Sequence, residues 1–374
     1  MKYFVGLIVG SAAILVALST AVAQHTVAAK FDVSKTMTLT GTVTQIDWAN
    51  PYSHIIMKVP VANSSTPARW AVEIESAILL AKNGWSPTTV KPGDVIKVEG
   101  PPARDGSKQI SGKSIVVTGT NKSVFNGYNG TAPAKPAVTA APTPRWPDGH
   151  PRLGPTPGQT GYWGNPSATA MVQTGVTVPM DAYGLLKNIA DVDKVAPMQK
   201  WARDVYEMRQ RTFLSTDPMY QGCKPPGGPR QYQQIYGVQF VEDQEHKRIF
   251  VLMGGGNRNE RIMYTDGRKQ IGQRGGDDDN PLYYGRSVAR WDGDTLVADI
   301  IGFNEKFWFD NGGLPHTEKL HLVERYTRMN MDTMKYEVTI DDPGAYTKNW
   351  TASWNLQWIP GEEMPYFLCQ DNRP

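Results

Sequence analysis

The sequence predicts a mainly all-β protein, a small OB-like five-stranded barrel followed by a larger antiparallel lipocalin-like β-barrel or sandwich with one or two helices. Three observations carry this. The chain is turn-rich and aromatic, with Gly 36, Pro 28 and 10% Phe, Trp and Tyr, a composition that suits many short strands. Residues 37–118 read as three strands, a short helix and two more strands. Residues 183–374 hold about eight alternating segments in meander order. At 374 residues the chain exceeds one ordinary core, so two domains are expected.

The first 23 residues read as a signal peptide. Met1-Lys2 precede an apolar run from Tyr3 to about Leu18, and Ala21-Val22-Ala23 supplies a small-x-small cleavage site before Gln24. No later segment approaches the roughly 20 apolar residues that span a bilayer. A periplasmic or secreted protein without stable membrane insertion after cleavage is expected. The net charge of +3, with no long Lys/Arg cluster, argues against nucleic acid as a partner. The two cysteines, Cys223 and Cys369, are expected to form one disulfide in an oxidising compartment. Closing so long a loop contributes up to about 5 kcal/mol by chain entropy.

In the small barrel, residues 24–120, Thr38 to Ile46 alternates apolar residues with Thr and Gln and is a strand. Asn50-Pro51 marks a turn. Ile55–Val59 and Trp70–Ile74 are the next strands. Ser76 to Gly84 is a short helix with a Ser cap and a Gly stop. Lys91-Pro92-Gly93-Asp94 turns into Val95–Glu99, and Lys113–Thr118 is the last strand. With Phe31-Asp32, Leu39-Thr40-Gly41-Thr42-Val43, Trp48-x-Asn50-Pro51 and Gly84-Trp85, this stretch resembles the domain of unknown function 6152 (DUF6152). That family usually starts with two adjacent histidines; here Thr26 follows His25, and Tyr52 follows Pro51. His25 and His54 are expected to be exposed rim residues; the other reading is a Cu(II) or Zn(II) pair.

Residues 121–182 are a Pro/Ala/Gly-rich linker and arm, with Tyr162 and Trp163 embedded in the latter half. Beyond it, Met198, Trp201, Ala202, Val205 and Met208 fall on one face of a helix that starts near Pro197 and packs through that face. Val238–Glu242 and Arg248–Met253 form a hairpin, and Arg261–Tyr264 is a strand. Asp292-Gly293 is read as a two-residue turn between Ser287–Trp291 and Asp294–Ile301. That register sets Ala289 against Leu296 and Arg286 against Asp299. Gly254-Gly255-Gly256 has no Lys-Ser/Thr after it and is not a phosphate loop. Asp277-Asp278-Asp279 lacks the spacing of a calcium loop.

The candidate site lies on one face of a strand expected over 316–327. Its even residues, His316, Glu318, Leu320, Leu322, Glu324 and Tyr326, form the more apolar face. Glu324, between Leu322 and Tyr326, should point inward, where a carboxylate needs a partner; Arg290 is the first choice. Glu324, His316, Glu318 and Arg290 are the candidate catalytic groups. Trp308, Tyr326, Trp354 and Tyr284 are the candidate ligand-binding aromatics. His321 alternates to the opposite face, which argues against a His316–Glu318–His321 metal site; no metal or cofactor is expected.

The motifs Cys223-x-Pro225-Pro226-Gly227-x-Pro229-Arg230, Ser287-Val288-x-Arg290-Trp291-x-Gly293-Asp294-Thr295-Leu296-Val297, Gly302-Phe303-Asn304 and Pro315-His316-x-Glu318 make residues 183–374 similar to an uncharacterised exported bacterial family often found with the preceding domain. No activity follows from that resemblance. Three readings stand: a small-molecule-binding barrel, a cofactor-free acid/base enzyme (lyase, isomerase or hydrolase) acting on a sugar or aromatic compound, and an envelope interaction protein.

Overall fold

The computed structural model describes residues 30–49, 52–82, 84–120, 122–125, 141–164, 170–180, 184–214, 216–234, 236–256, 259–270 and 282–364. Within them lie a seven-stranded sheet and a closed nine-stranded barrel. The segment read as a signal peptide, His25, the triple-aspartate run and Cys369 lie outside the described residues.

The first sheet is built as an OB barrel should be. β1 (Met37–Asp47), β2 (Ser53–Val59) and β3 (Ala68–Ile74) form an antiparallel meander, α1 (Ala77–Lys82) follows, and β4 (Val95–Gly100) returns beside β1. β5 (Gln109–Ser111) runs parallel to β3, while β6 (Ser114–Val117) runs antiparallel to β4. β6 is the strand expected over Lys113–Thr118, and β5 is an additional short strand before it, across a bend at Gly112-Lys113. Gly112 N–H donates to the Glu73 carbonyl and Lys113 N–H to the Glu99 carbonyl, both at 2.8 Å, so the bend joins the two ends of the sheet. A Cβ on Gly100 would run into the Ser111 carbonyl at this corner. Val43, Ile55, Val72, Ile96, Val98 and Ile115 fill the interior. The linker yields one further strand, β7 (Lys122–Phe125), which pairs with β6, and Trp85 holds it by donating to the Val124 carbonyl at 2.8 Å.

The large barrel draws its first strand, β8 (Gly161–Gly164), from the arm, so it begins before residue 183. β9 (Val238–Asp243), β10 (Arg248–Met253), β11 (Asn259–Tyr264), β12 (Arg286–Asp292), β13 (Thr295–Ile301), β14 (His321–Arg328), β15 (Thr333–Asp341) and β16 (Trp350–Pro360) follow, and β16 closes on β8. Every pairing is antiparallel except the short one between β11 and β12. The predicted alternations hold: Met334, Tyr336, Val338 and Ile340 face inward, as do Trp350, Ala352, Trp354, Leu356 and Trp358.

Two expectations are corrected. The β12–β13 turn is Gly293-Asp294, which pairs Ala289 with Ala298 and Arg286 with Ile301, and sets Asp299 against Val288. Among Asp292, Gly293 and Asp294 only Gly293 has positive φ, +59°. A turn centred on Asp292-Gly293 would need positive φ at both; a glycine at the first central position needs it once. The shift is even, so the faces survive. The second correction concerns α3 (Lys200–Arg211), preceded by the short α2 (Val192–Val195). α3 buries Ala202, Tyr206 and Gln210, while Trp201 and Met208 are exposed. Hydrogen bonding decides this: Gln210 donates to the Gly312 carbonyl at 2.7 Å and accepts from Leu186 N–H at 2.8 Å. An apolar count cannot see such a face.

Candidate functional site

The barrel interior carries a charged cluster at its centre. β14 alternates strictly, which turns Leu322, Glu324, Tyr326 and Arg328 inward. Cross-strand registers put Glu324 level with Ala298 on one side and Val338 on the other, and Ala289 and Ala352 continue that row. The row is therefore lined by small side chains on the flanking strands. The next row holds Leu296, Tyr326, Tyr336 and Trp354.

Glu324 is fully buried and both its oxygens are occupied. Tyr336 donates to Oε1 at 2.7 Å, and Tyr326 donates a short hydrogen bond to Oε2. Arg261 Nη2 lies 2.6 Å from Oε2, with both side chains 1% exposed or less. The partner is thus Arg261 on β11, reached across the barrel. Arg290 is exposed on the outer face, opposite Val297, and takes no part. Tyr232 completes the cluster from a 3₁₀ turn over Pro229–Gln233; its hydroxyl lies 2.6 Å from that of Tyr326, and Arg261 Nη2 donates to both tyrosine oxygens at 2.8 and 2.6 Å. Since Tyr326 gives its proton to Glu324, Tyr232 is the donor of the tyrosine pair.

Burial pushes the phenols of Tyr232, Tyr326 and Tyr336 up, and the Glu324 carboxylate adds to this; all three stay neutral. Burial alone would lower the Arg261 guanidinium, but Glu324, Tyr232 and Tyr326 together outweigh that and hold it above its ordinary value. The cluster is one cation and one anion bound by neutral hydroxyls. One feature is unbalanced. Nη2 makes all of Arg261's polar contacts, whereas Nε and Nη1 have no acceptor among the described residues. An unmade hydrogen bond of a buried group costs about 1–3 kcal/mol, more for a charged one. Ser287 Oγ also lacks a partner among the described residues; it faces inward on β12, where it is the register partner of Met263, two residues from Arg261.

The other sequence-derived candidates fall in three places. Trp354 belongs to the cluster: its ring lies 4.7 Å from Tyr336 and its Nε1 donates to the Tyr232 carbonyl at 3.2 Å. Tyr284 is buried, with its phenol pushed up by burial and influenced by Arg261 and Tyr232 nearby. Trp308 is buried in the aromatic loop, under the Arg209 guanidinium at 4.6 Å.

His316 and Glu318 do not lie on a strand. β14 starts at His321, because Pro315 lacks an N–H and Asp342 takes both the N–H and the hydroxyl of Thr317 at 2.6 Å. His316 packs against Phe307, with ring centroids 4.1 Å apart, and places Nε2 3.2 Å from the Phe307 carbonyl. Burial drives its imidazole down to about 4. Its hydrogen bonds run to the loop, not to Glu324. Glu318 is half-buried, and its N–H donates to Glu305 at 3.1 Å. His321 faces outward to Asp299 at 3.1 Å. No group of three metal-ligating side chains occurs among the described residues; in the small barrel His54 sits 3.4 Å from Glu73 instead.

Sequence reading missed Arg261, Tyr232 and Tyr336 as site residues. The signal for Arg261 was present: it shares the inward face of β11 with Met263. Ile262 on the outer face masked the alternation. For Tyr232 there was no periodic signal, since it comes from a 3₁₀ turn.

A model of a family of unknown function, DUF6152, matches residues 12–112. No curated protein and no solved structure matches the chain.

Proposed function

We propose that this chain is an exported small-molecule-binding protein whose ligand sits in the large barrel, against Arg261. The observation that carries the reading is the guanidinium edge, Nε and Nη1, buried with no acceptor among the described residues inside a closed aromatic barrel. A closed barrel of this size can hold one small ligand. The acid/base alternative is weaker: Glu324 is fully buried, ion-paired with Arg261 and hydrogen-bonded by Tyr326 and Tyr336, an arrangement that holds the carboxylate in place rather than presenting it to a substrate proton.

Export is supported by the apolar run Tyr3–Leu18 with Ala21-Val22-Ala23, and by the resemblance of residues 183–374 to an exported family. No helix among the described residues is long and apolar enough to cross a membrane. The Cys223–Cys369 disulfide belongs to the same proposal.

Thermal unfolding of the mature protein against a panel of small aromatic compounds tests the reading. A ligand at 100 times its Kd stabilises by about 2.7 kcal/mol, which is roughly 5–10 °C for a domain of this size. Arg261→Met should abolish that shift. A panel in which no compound moves the wild-type midpoint, or moves wild type and Arg261→Met equally, argues that the cluster is only structural.

A further inference from the structure

We infer that the barrel's ligand is a neutral aromatic compound bearing a carbonyl or amide oxygen, and that the site rejects the corresponding carboxylate. This rests on the ligand-binding reading above and narrows it. The starting point is charge. Arg261 and Glu324 form a pair at 2.6 Å, both fully enclosed, and Tyr232, Tyr326 and Tyr336 stay neutral. The site therefore has no net charge before a ligand arrives.

What it lacks is acceptors. Arg261 offers the Nε and Nη1 hydrogens with no oxygen to receive them among the described residues. A carboxylate would supply oxygens, but it would bring a second buried negative charge to a guanidinium already neutralised by Glu324. Burying an uncompensated ion carries a large desolvation cost. A carbonyl or amide oxygen answers the same N–H groups without that charge, since each is an acceptor that carries none. A cation would meet a Glu324 whose charge is already paired with Arg261, and would bring an uncompensated positive charge of its own.

The walls set the rest of the ligand. Tyr232 and Tyr336 lie ring to ring at 4.5 Å, Trp354 stands 4.7 Å from Tyr336, and Phe240 lies 5.5 Å from Tyr326. On the row of Glu324 the other inward side chains are Ala289, Ala298, Val338 and Ala352. These rings give the neighbourhood of Arg261 an aromatic character that an aromatic ligand matches, and the side chains on the Glu324 row are small.

The experiment uses two isosteric pairs, benzamide with benzoate and 2-naphthamide with 2-naphthoate, titrated calorimetrically into the mature full-length protein at neutral pH. The expected result is that each amide binds at least tenfold more tightly than its acid. Glu324→Gln, which removes the competing anion, should invert that ratio in favour of the acid. Wild-type protein that binds the acids as tightly as the amides overturns the inference about ligand class while leaving the binding reading intact. Wild-type protein that binds none of the four overturns both, with water then satisfying Arg261. The wild-type comparison decides the matter even if Glu324→Gln fails to fold.

Discussion

Among the described residues of the large barrel domain, two buried arginines, Arg230 and Arg261, are each bonded to a buried carboxylate, and they are used differently. Arg230 donates from Nε to Asn311 and from Nη1 and Nη2 to Asp217, at 2.9, 2.9 and 2.5 Å. Arg261 places its contacts on Nη2 alone. The first is a bidentate fork that ties the 3₁₀ turn to Asp217 and to the loop at Asn311, the arrangement expected of a structural ion pair. The second leaves two nitrogens for something else. Burial and pairing alone do not distinguish them; the count of satisfied N–H groups does. The small barrel repeats the contrast with carboxylates. Glu73 meets Lys30 at 2.7 Å and His54 at 3.4 Å, and despite burial these hold it below its usual range. Glu75, two residues on and equally enclosed, is raised to about 8, by burial and then by the charge of Glu73.

The comparison can be broken by measurement. The largest effect should come from Arg230→Met, which strands Asp217 and costs about 3–5 kcal/mol in denaturant unfolding. Arg261→Met should cost at least about 1 kcal/mol less, because it also removes unsatisfied N–H groups that weigh against the folded state. Equal losses would mean that Arg261 is as fully satisfied as Arg230 in solution.

The next effect sharpens the distinction between a buried histidine and a site histidine. His316 is held neutral down to about pH 4, whereas an unfolded histidine takes its proton near 6.5. The unfolded chain therefore binds the extra proton. This contribution is fully present above about 6.5 and is lost as pH falls towards 4, by about 3 kcal/mol in all. His316→Gln should flatten that part of the stability–pH curve. An unchanged slope between pH 6.5 and 4 would show that the imidazole titrates freely, as a catalytic group at an open mouth would.

The smallest effect is in the small barrel. Glu75 keeps its proton in the fold up to about pH 8 but loses it in the unfolded chain near 4.5. Its contribution is thus full below 4.5 and lost as pH rises towards 8. Glu75→Gln should stabilise the small barrel by about 1–2 kcal/mol at pH 7.5, since a buried amide still carries a desolvation cost, and by much less at pH 5. Calorimetry of the two pH values side by side checks this. Destabilisation at pH 7.5 would indicate that Glu75 is charged and paired.

Local pattern sufficed for a good deal of this molecule. Period-two alternation is a property of a single strand, so the inward faces of β14, β15 and β16, and with them the burial of Glu324, were legible in the sequence. The order of strands and helix likewise announced the small OB-like barrel. Alternation failed at Pro315 before His316, where backbone chemistry intervened, and at the Gly293 turn the register shifted while the faces held.

What only the tertiary structure decided is which groups meet. Glu324 and Arg261 are 63 residues apart, on strands that touch neither each other nor a common neighbour; closure of the barrel brings their side chains together. The partner of an inward charge depends on curvature and register summed over several strands, and no window of sequence contains that sum. The sequence by itself determined that a carboxylate would be buried. The fold determined that it would be paired, which guanidinium would pair it, and which two nitrogens would be left over.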